Sequence, residues 1–515
     1  MRNRRQRFRP DCDQFELRCL LSGFSPVLSN GYTPAQITSA YGLNAITFTS
    51  STGAPVKGDG AGETIALIEL NSDPTLQSDL ATFDAKYSLP NPTLTVVNQA
   101  GSQTDSDWTV EQSLDVEWAH AIAPGAKILV VEAAPSGSAT QELQNLLNAV
   151  NIARNTAGVV AVSMSWGFSE MPNESSFDSF FTTPAGHSGI TFIAASGDNG
   201  TVEYPSASPN VLSVGGTTLN LSGSGSYGSE TAWIDSGGGY SQYEPEPSYQ
   251  QSVQQTGMRS APDVAFDGDP NTGVEVYSTD PSSGRGSWQV VGGTSLGSPA
   301  WAGIIAIADQ GRALAGASSL DGPTQTLPSL YAAASTNFNS VAATPDGNGF
   351  SSGGFDPFVG DGYSLIYGLG LGSISSGTTT SGATANTATG LGSPFGPSLI
   401  SDLVTSTLTV PSMTGTVSAS PPAKHAKKHH EPRNTHAINR AKAHASKLHE
   451  RKLAKQQEKA AAKHEAAHLG VITFSRIVLK ASDDTLNSPR NGLSIAAVRK
   501  IKSAMKTARI ATRMA

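Results

Sequence analysis

The sequence predicts an α/β domain built on a doubly wound, mostly parallel sheet, with a disordered or helical basic tail behind it. Three observations carry this. Short apolar runs recur at 64–70, 94–97, 128–132, 159–165, 190–195 and 211–214. Helical patterns at 74–87, 110–122 and 140–156 separate several of them. Strands buried on both faces and joined by helices of this length form parallel sheets with helices on either side. The third observation is charge. Between residues 32 and 373 there are 32 acidic residues against 7 basic ones, whereas the region after 421 is strongly basic.

In chain order, residues 1–30 form a leader. It opens on Met1-Arg2-Asn3-Arg4-Arg5 but lacks the long apolar core of a signal peptide. Arg9, Pro10, Glu16, Arg18, Leu20, Leu21 and Ser22 resemble an export leader of planctomycete proteins, so an exported location is expected. Residues 31–373 read as the catalytic domain. Residues 374–422, rich in Gly, Ser and Thr, read as a linker, and 423–515 as a Lys/His/Ala-rich tail. Both cysteines, Cys12 and Cys19, fall in the leader, so the domain uses no disulfide. A domain this poor in Lys and Arg excludes nucleic-acid binding through phosphates. The tail could meet an anionic surface or polymer, or stay solvated; a monomer is expected.

Gly292-Gly293-Thr294-Ser295 follows a β-rich run at 288–291 and precedes an apolar helical pattern at 300–313. The glycines permit a tight strand-to-helix turn, which places Ser295 near a helix N-terminus, where developing negative charge is favoured. An N-cap serine on a buried helix has the same appearance. A nucleophilic serine needs a base. The domain has two histidines, His120 and His187, neither in a segment of the usual triad type. Glu111 and Asp115 lie four residues apart in a helical pattern opened by Thr109 and Gln112 at capping-box spacing. On one helix face, one carboxylate can hold and tune the other, although alone such a pair reads as a solvated face. His120 faces elsewhere on that helix. Asp198 ends an apolar strand in Ser196-Gly197-Asp198-Asn199-Gly200, ordinarily a turn, but a protonated acid there could donate to an oxyanion.

Together these pieces resemble the sedolisin (serine-carboxyl) peptidases, a family with a subtilisin-like fold. Its E-x-x-x-D helix matches Glu111 and Asp115, and its Ser-x-Ser-Trp-Gly strand matches Ser163 to Gly167. The Ser-Gly-Asp turn matches Asp198, and the Gly-Gly-Thr-Ser loop matches Ser295. The resemblance implies a polypeptide substrate, Ser295 as nucleophile, Glu111 as general base, Asp115 as its orienter and Asp198 as the oxyanion acid. Family precursors carry a long N-terminal prosegment; here the start of the mature-type domain, near Tyr32, comes almost at once. The family's calcium aspartates are replaced by Ser340 and Ser364. Calcium favours charged oxygen ligands, so a greatly weakened site and no certain cofactor are expected. The sequence leaves two rivals open: a non-catalytic relative serving as a surface or binding protein, and a domain that merely carries the basic tail.

Overall fold

The computed structural model describes residues 19–20, 23–24, 31–333, 335–342 and 387–406. The readings for the basic tail, most of the leader and Ser364 lie outside the described residues. No helix among those described is long and apolar enough to cross a membrane.

The main sheet runs Tyr227–Ala232, Val211–Leu221, Thr191–Ala195, Val159–Met164, Thr64–Leu70, Lys127–Ala133, Leu94–Asn98. Val264–Asp267 pairs with Val211–Leu221 off that path. All pairs are parallel except Tyr227–Ala232 with Val211–Leu221. The winding reverses around the central strand Thr64–Leu70. The crevice beyond the carboxyl ends there is where open α/β sheets hold their chemistry.

Each face of the sheet has its own core. Ile65 and Leu67 point to one, Ala66, Ile68 and Leu70 to the other, as the two-residue period of a strand requires. The helix Ala139–Arg154 covers the second face. The first is covered by Leu76–Tyr87, Ser106–Ile122 and Thr294–Leu314. Trp118 and Trp301, both fully buried, tie down the last two helices. Their ring N–H groups donate to the Glu275 carbonyl and the Ala265 carbonyl, each at 3.1 Å. The two helices also cross closely at Gly303, where a Cβ would stand 2.7 Å from Ile122 Cγ2.

Two readings need correction. The carboxylate-bearing helix begins at Ser106, not 110, because Asp105 caps it by accepting the N–H groups of Asp107 and Trp108. Thr109 is therefore inside the helix, and its hydroxyl donates back to the Asp105 carbonyl at 2.9 Å. The second concerns the linker. Within 374–422, Ser393–Pro394 pairs with Phe338–Asn339, and Gly396–Thr405 is a helix packed on Thr294–Leu314. Leu399, Ile400 and Leu403 share one buried face of it. Arg312 donates to the carbonyls of Leu403 and Ser406 at 3.1 and 3.0 Å, neutralising that helix's negative end.

Candidate active site

Ser295 is the second residue of the helix Thr294–Leu314, preceded by Gly293 at φ 117°, a conformation that favours glycine. Pro299 sits inside the same helix and has no N–H to offer the carbonyl four residues back, that of Ser295. Ser165 takes that place: its hydroxyl lies 3.3 Å from the Ser295 carbonyl. It also lies 3.0 and 2.8 Å from the two Asp115 carboxylate oxygens. One hydroxyl thereby links the nucleophile's helix to the carboxylate helix.

Glu111 and Asp115 are both fully buried on Ser106–Ile122. Burial pushes the Asp115 carboxyl well above the usual range, and repulsion from Glu69 and Glu111 adds to this. Glu69, near the carboxyl end of the central strand, is pushed up to about 8 by burial and by Glu111. It lies beside Asp115, and two buried carboxyl groups this close disfavour ionising together, so protonation of one relieves the other. Across the strand pair, Glu69 stands opposite Glu132, a further buried acid.

Asp198 follows the strand Thr191–Ala195 and turns back to the start of the nucleophile's helix. Its Oδ1 accepts the Thr294 N–H at 2.9 Å and the Thr294 hydroxyl at 2.7 Å. Its Oδ2 is buried and has no hydrogen-bond partner among the described residues. Burial raises the Asp198 carboxyl well above the ordinary aspartate range, and Glu111 and Glu203 repel its charge; the two Thr294 bonds oppose the shift. Burial thus favours the protonated form of Asp198 beside the helix N-terminus. By helix geometry the Ser295 N–H also lacks an intrahelical acceptor there. That is a place for a developing oxyanion.

The four residues singled out in the sequence, Glu111, Asp115, Asp198 and Ser295, thus meet through contact, shared partners or mutual repulsion. The histidines do not join them. His120 is buried against the Pro90 carbonyl at 2.7 Å and Asp84 at 3.3 Å. His187 contacts the carbonyls of Ser188 and Thr156. Sequence reasoning missed Glu69 and Glu203, and it gave no role to Ser165 and Thr294, which it met only as members of motifs. Glu69 left one signal, an acid inside an otherwise apolar buried run. Glu203, pushed up to about 7 by burial, packs against Gly167 and Gly197, where any Cβ would collide with it. Ser340 is exposed. No group of acids, His or Cys able to hold a metal occurs among the described residues.

Comparison with known proteins agrees with this fold. Residues 98–322 match the Subtilase family. Sedolisin of Pseudomonas sp. (strain 101) is 30% identical over 67% of this chain and 63% of its own length. Kumamolisin of Bacillus sp. (strain MN-32) is 33% identical over 54% of this chain and 52% of its own. The chain thus spans about half to two thirds of these relatives. Tripeptidyl-peptidase 1 of Canis lupus familiaris is 28% identical over 52% of each. Among solved structures, Pseudomonas sedolisin, a serine-carboxyl proteinase complexed with pseudo-iodotyrostatin, matches with a TM-score of 0.56. It is 25% identical, over 73% of this chain and 98% of that one.

Proposed function

Because the chain belongs to the sedolisin family of subtilisin-like peptidases, we propose that it hydrolyses peptide bonds at acidic pH through an acyl-enzyme, with Ser295, Glu111 and Asp115 as triad. The observation that carries this is the setting of the Ser295 helix: Asp198 accepts from Thr294 beside Ser295, Ser165 joins Asp115 to the Ser295 carbonyl, and both described histidines lie on other carbonyls. A carboxylate is the available base. Glu111 accepts the proton of the Ser295 hydroxyl as Oγ attacks the carbonyl carbon, then passes it to the leaving amine. Asp115, held by Ser165 and lying beside Glu69, fixes and tunes Glu111. Asp198 donates its proton as a hydrogen bond to the tetrahedral oxyanion. Water then cleaves the ester by the reverse sequence.

The substrate proposed is a polypeptide, and the resemblance of the leader supports an exported enzyme. The printed names of the relatives cover both a tripeptidyl-peptidase and a proteinase. No calcium role is proposed, since exposed Ser340 supplies no charged ligand. The test is casein digestion at acidic pH by the full chain. Ser295→Ala should lower kcat by about a millionfold, the scale of losing a triad nucleophile, with the melting temperature unchanged. A stably folded wild type that digests nothing would favour a non-catalytic binding role.

A further inference from the structure

We infer that the cavity at the carboxyl ends of Thr64–Leu70, Leu94–Asn98 and Lys127–Ala133 binds a primary ammonium on an aliphatic stem, the lysine side chain of a polypeptide. The inference goes beyond the reading of Ser295 and does not depend on it.

The cavity measures about 430 Å³, within the range of small-ligand sites. Its walls and its floor differ in chemistry. Pro74, Leu76 and Val96 give it apolar walls, and Val96 is 42% exposed, so that wall is open to solvent. Asp73 and Glu132 also line it, and they are only 5% and 1% exposed. Each acid has one oxygen engaged. Asp73 Oδ1 accepts the N–H and the hydroxyl of Thr75, both at 2.8 Å. Glu132 Oε1 accepts the Asp73 N–H at 2.9 Å. The other two oxygens, Asp73 Oδ2 and Glu132 Oε2, are buried and have no hydrogen-bond partner among the described residues.

Buried acid oxygens without a donor are costly. Burial pushes the Asp73 carboxyl up to about 6 and raises Glu132, which the Asp73 N–H and the nearby Ser72 hydroxyl relieve only in part. Neither shift has a cation among its causes. A cationic donor entering the cavity supplies what both acids lack, and its charge in turn favours their ionised forms. A domain with 32 acidic residues against 7 basic ones draws cations to it.

The pattern of free oxygens selects the cation. A guanidinium is a planar fork that fits both oxygens of one carboxylate. Here each acid offers a single oxygen, which suits an ammonium, a compact charge with three rotatable donors. No third acid, His or Cys joins these two to make a metal group. A chain-terminal amine would leave the apolar walls unused, whereas the four-carbon stem of lysine covers Pro74, Leu76 and Val96. The cavity also adjoins the carboxylate helix. Gln112, next to Glu111, donates to the Leu70 and Asn71 carbonyls at 3.1 and 3.3 Å, just before Ser72 and Asp73.

Isothermal titration at about pH 7, above the value to which burial pushes Asp73, tests this. The full-length Ser295→Ala chain is used, so that the probes are not cleaved. N-acetyl-lysine methylamide should bind one to one. N-acetyl-norleucine methylamide should bind about ten- to hundredfold more weakly, the scale of hydrogen bonds to a charged group. Asp73→Asn removes the charge, keeps an acceptor for Thr75 and should weaken lysine binding at least about tenfold. Val96→Trp fills the open wall without touching either acid and should do the same. Equal binding of the lysine and norleucine probes, or lysine binding that either variant leaves unchanged, would overturn the proposal. So would N-acetyl-arginine methylamide binding as tightly as the lysine probe. Cadaverine binding at least about tenfold more tightly than the lysine probe would assign the cavity to free diamines and overturn the polypeptide ligand. If wild type digests casein but the lysine probe fails to bind, this proposal falls and the peptidase reading stands. Lysine binding without casein digestion would support this proposal alone.

Discussion

Two buried acidic sites in this domain are built on opposite principles. Asp263 sits with Arg259, which donates to its two oxygens at 2.7 and 2.6 Å. The Ser213 N–H and the Tyr331 hydroxyl, both at 2.8 Å, and the Gln250 side-chain amide at 3.3 Å also donate to it. Both members of the pair are fully buried. Near the Ser295 helix, by contrast, Glu69, Glu111, Asp115 and Asp198 repel one another or share hydroxyl partners, and the shifts of Glu69, Asp115 and Asp198 have no cation among their causes. A buried charge costs several kcal/mol unless it is paired, so acids without a cation hold their protons instead. The paired site is structural. The carboxyl-rich one holds protons close to Ser295, and proton storage is what the proposed acyl transfer by carboxyl groups requires.

Breaking the paired site should give a large effect confined to stability. Arg259→Met leaves Asp263 buried without its cation and should cost about 3–5 kcal/mol, read by denaturant unfolding. The pH profile of kcat in whatever remains folded should not move. A shifted profile would mean that the two sites are coupled.

Titrating the carboxyl-rich site and its neighbour Glu203 should give a smaller, graded effect. An acid whose pKa is raised on folding binds more protons in the native than in the unfolded state between the two values. Stability therefore falls as pH rises through that window. Glu69 and Glu203 are pushed up to about 8 and about 7 by burial, against about 4.3 in an unfolded chain. Each contributes stability below about pH 4 that is lost as pH climbs towards about 8 for Glu69 and about 7 for Glu203, at up to about 1.4 kcal/mol per pH unit. The melting temperature should decline from acid towards neutral, and Glu69→Gln should make the decline shallower. A melting temperature that rises over that range would contradict this account of the buried acids.

Much of this contrast was legible in the sequence, and the losses have physical causes. The strands, the Glu111/Asp115 face and the Ser295 turn follow from periodicity and glycine placement, which are local. Glu69 escaped because its role depends on Asp115 reaching it from another element. Ser165 escaped because its partner exists only where Pro299 leaves a carbonyl unbonded. The helix Gly396–Thr405 was hidden by the Gly, Ser and Thr residues around it, although Leu399, Ile400 and Leu403 show helical spacing. The Asp105 cap was overlooked for a second capping pattern four residues later.

The smallest effect belongs to the histidine that the carboxylate helix carries away from the site. His120→Gln keeps a polar group near the Pro90 carbonyl and should leave kcat within about twofold, the range of a change that touches no transition-state contact. A loss of about a hundredfold or more would return histidine to the mechanism.

The central claim, that carboxyl groups do the work of a triad histidine and its oxyanion partner, is tested most directly by the pH dependence of kcat/KM. Wild type should be compared with Asp198→Asn. Ionisation of the base Glu111 should give the acid limb. Deprotonation of Asp198, raised by burial, should give the alkaline one, leaving a bell with an acidic maximum. The amide introduced by Asp198→Asn keeps an N–H donor without a titration. That variant should therefore be slower, by up to the about hundred- to thousandfold of a lost oxyanion donor, with a flattened alkaline limb. A wild-type maximum above neutral pH, or an alkaline limb unchanged in Asp198→Asn, would contradict the account.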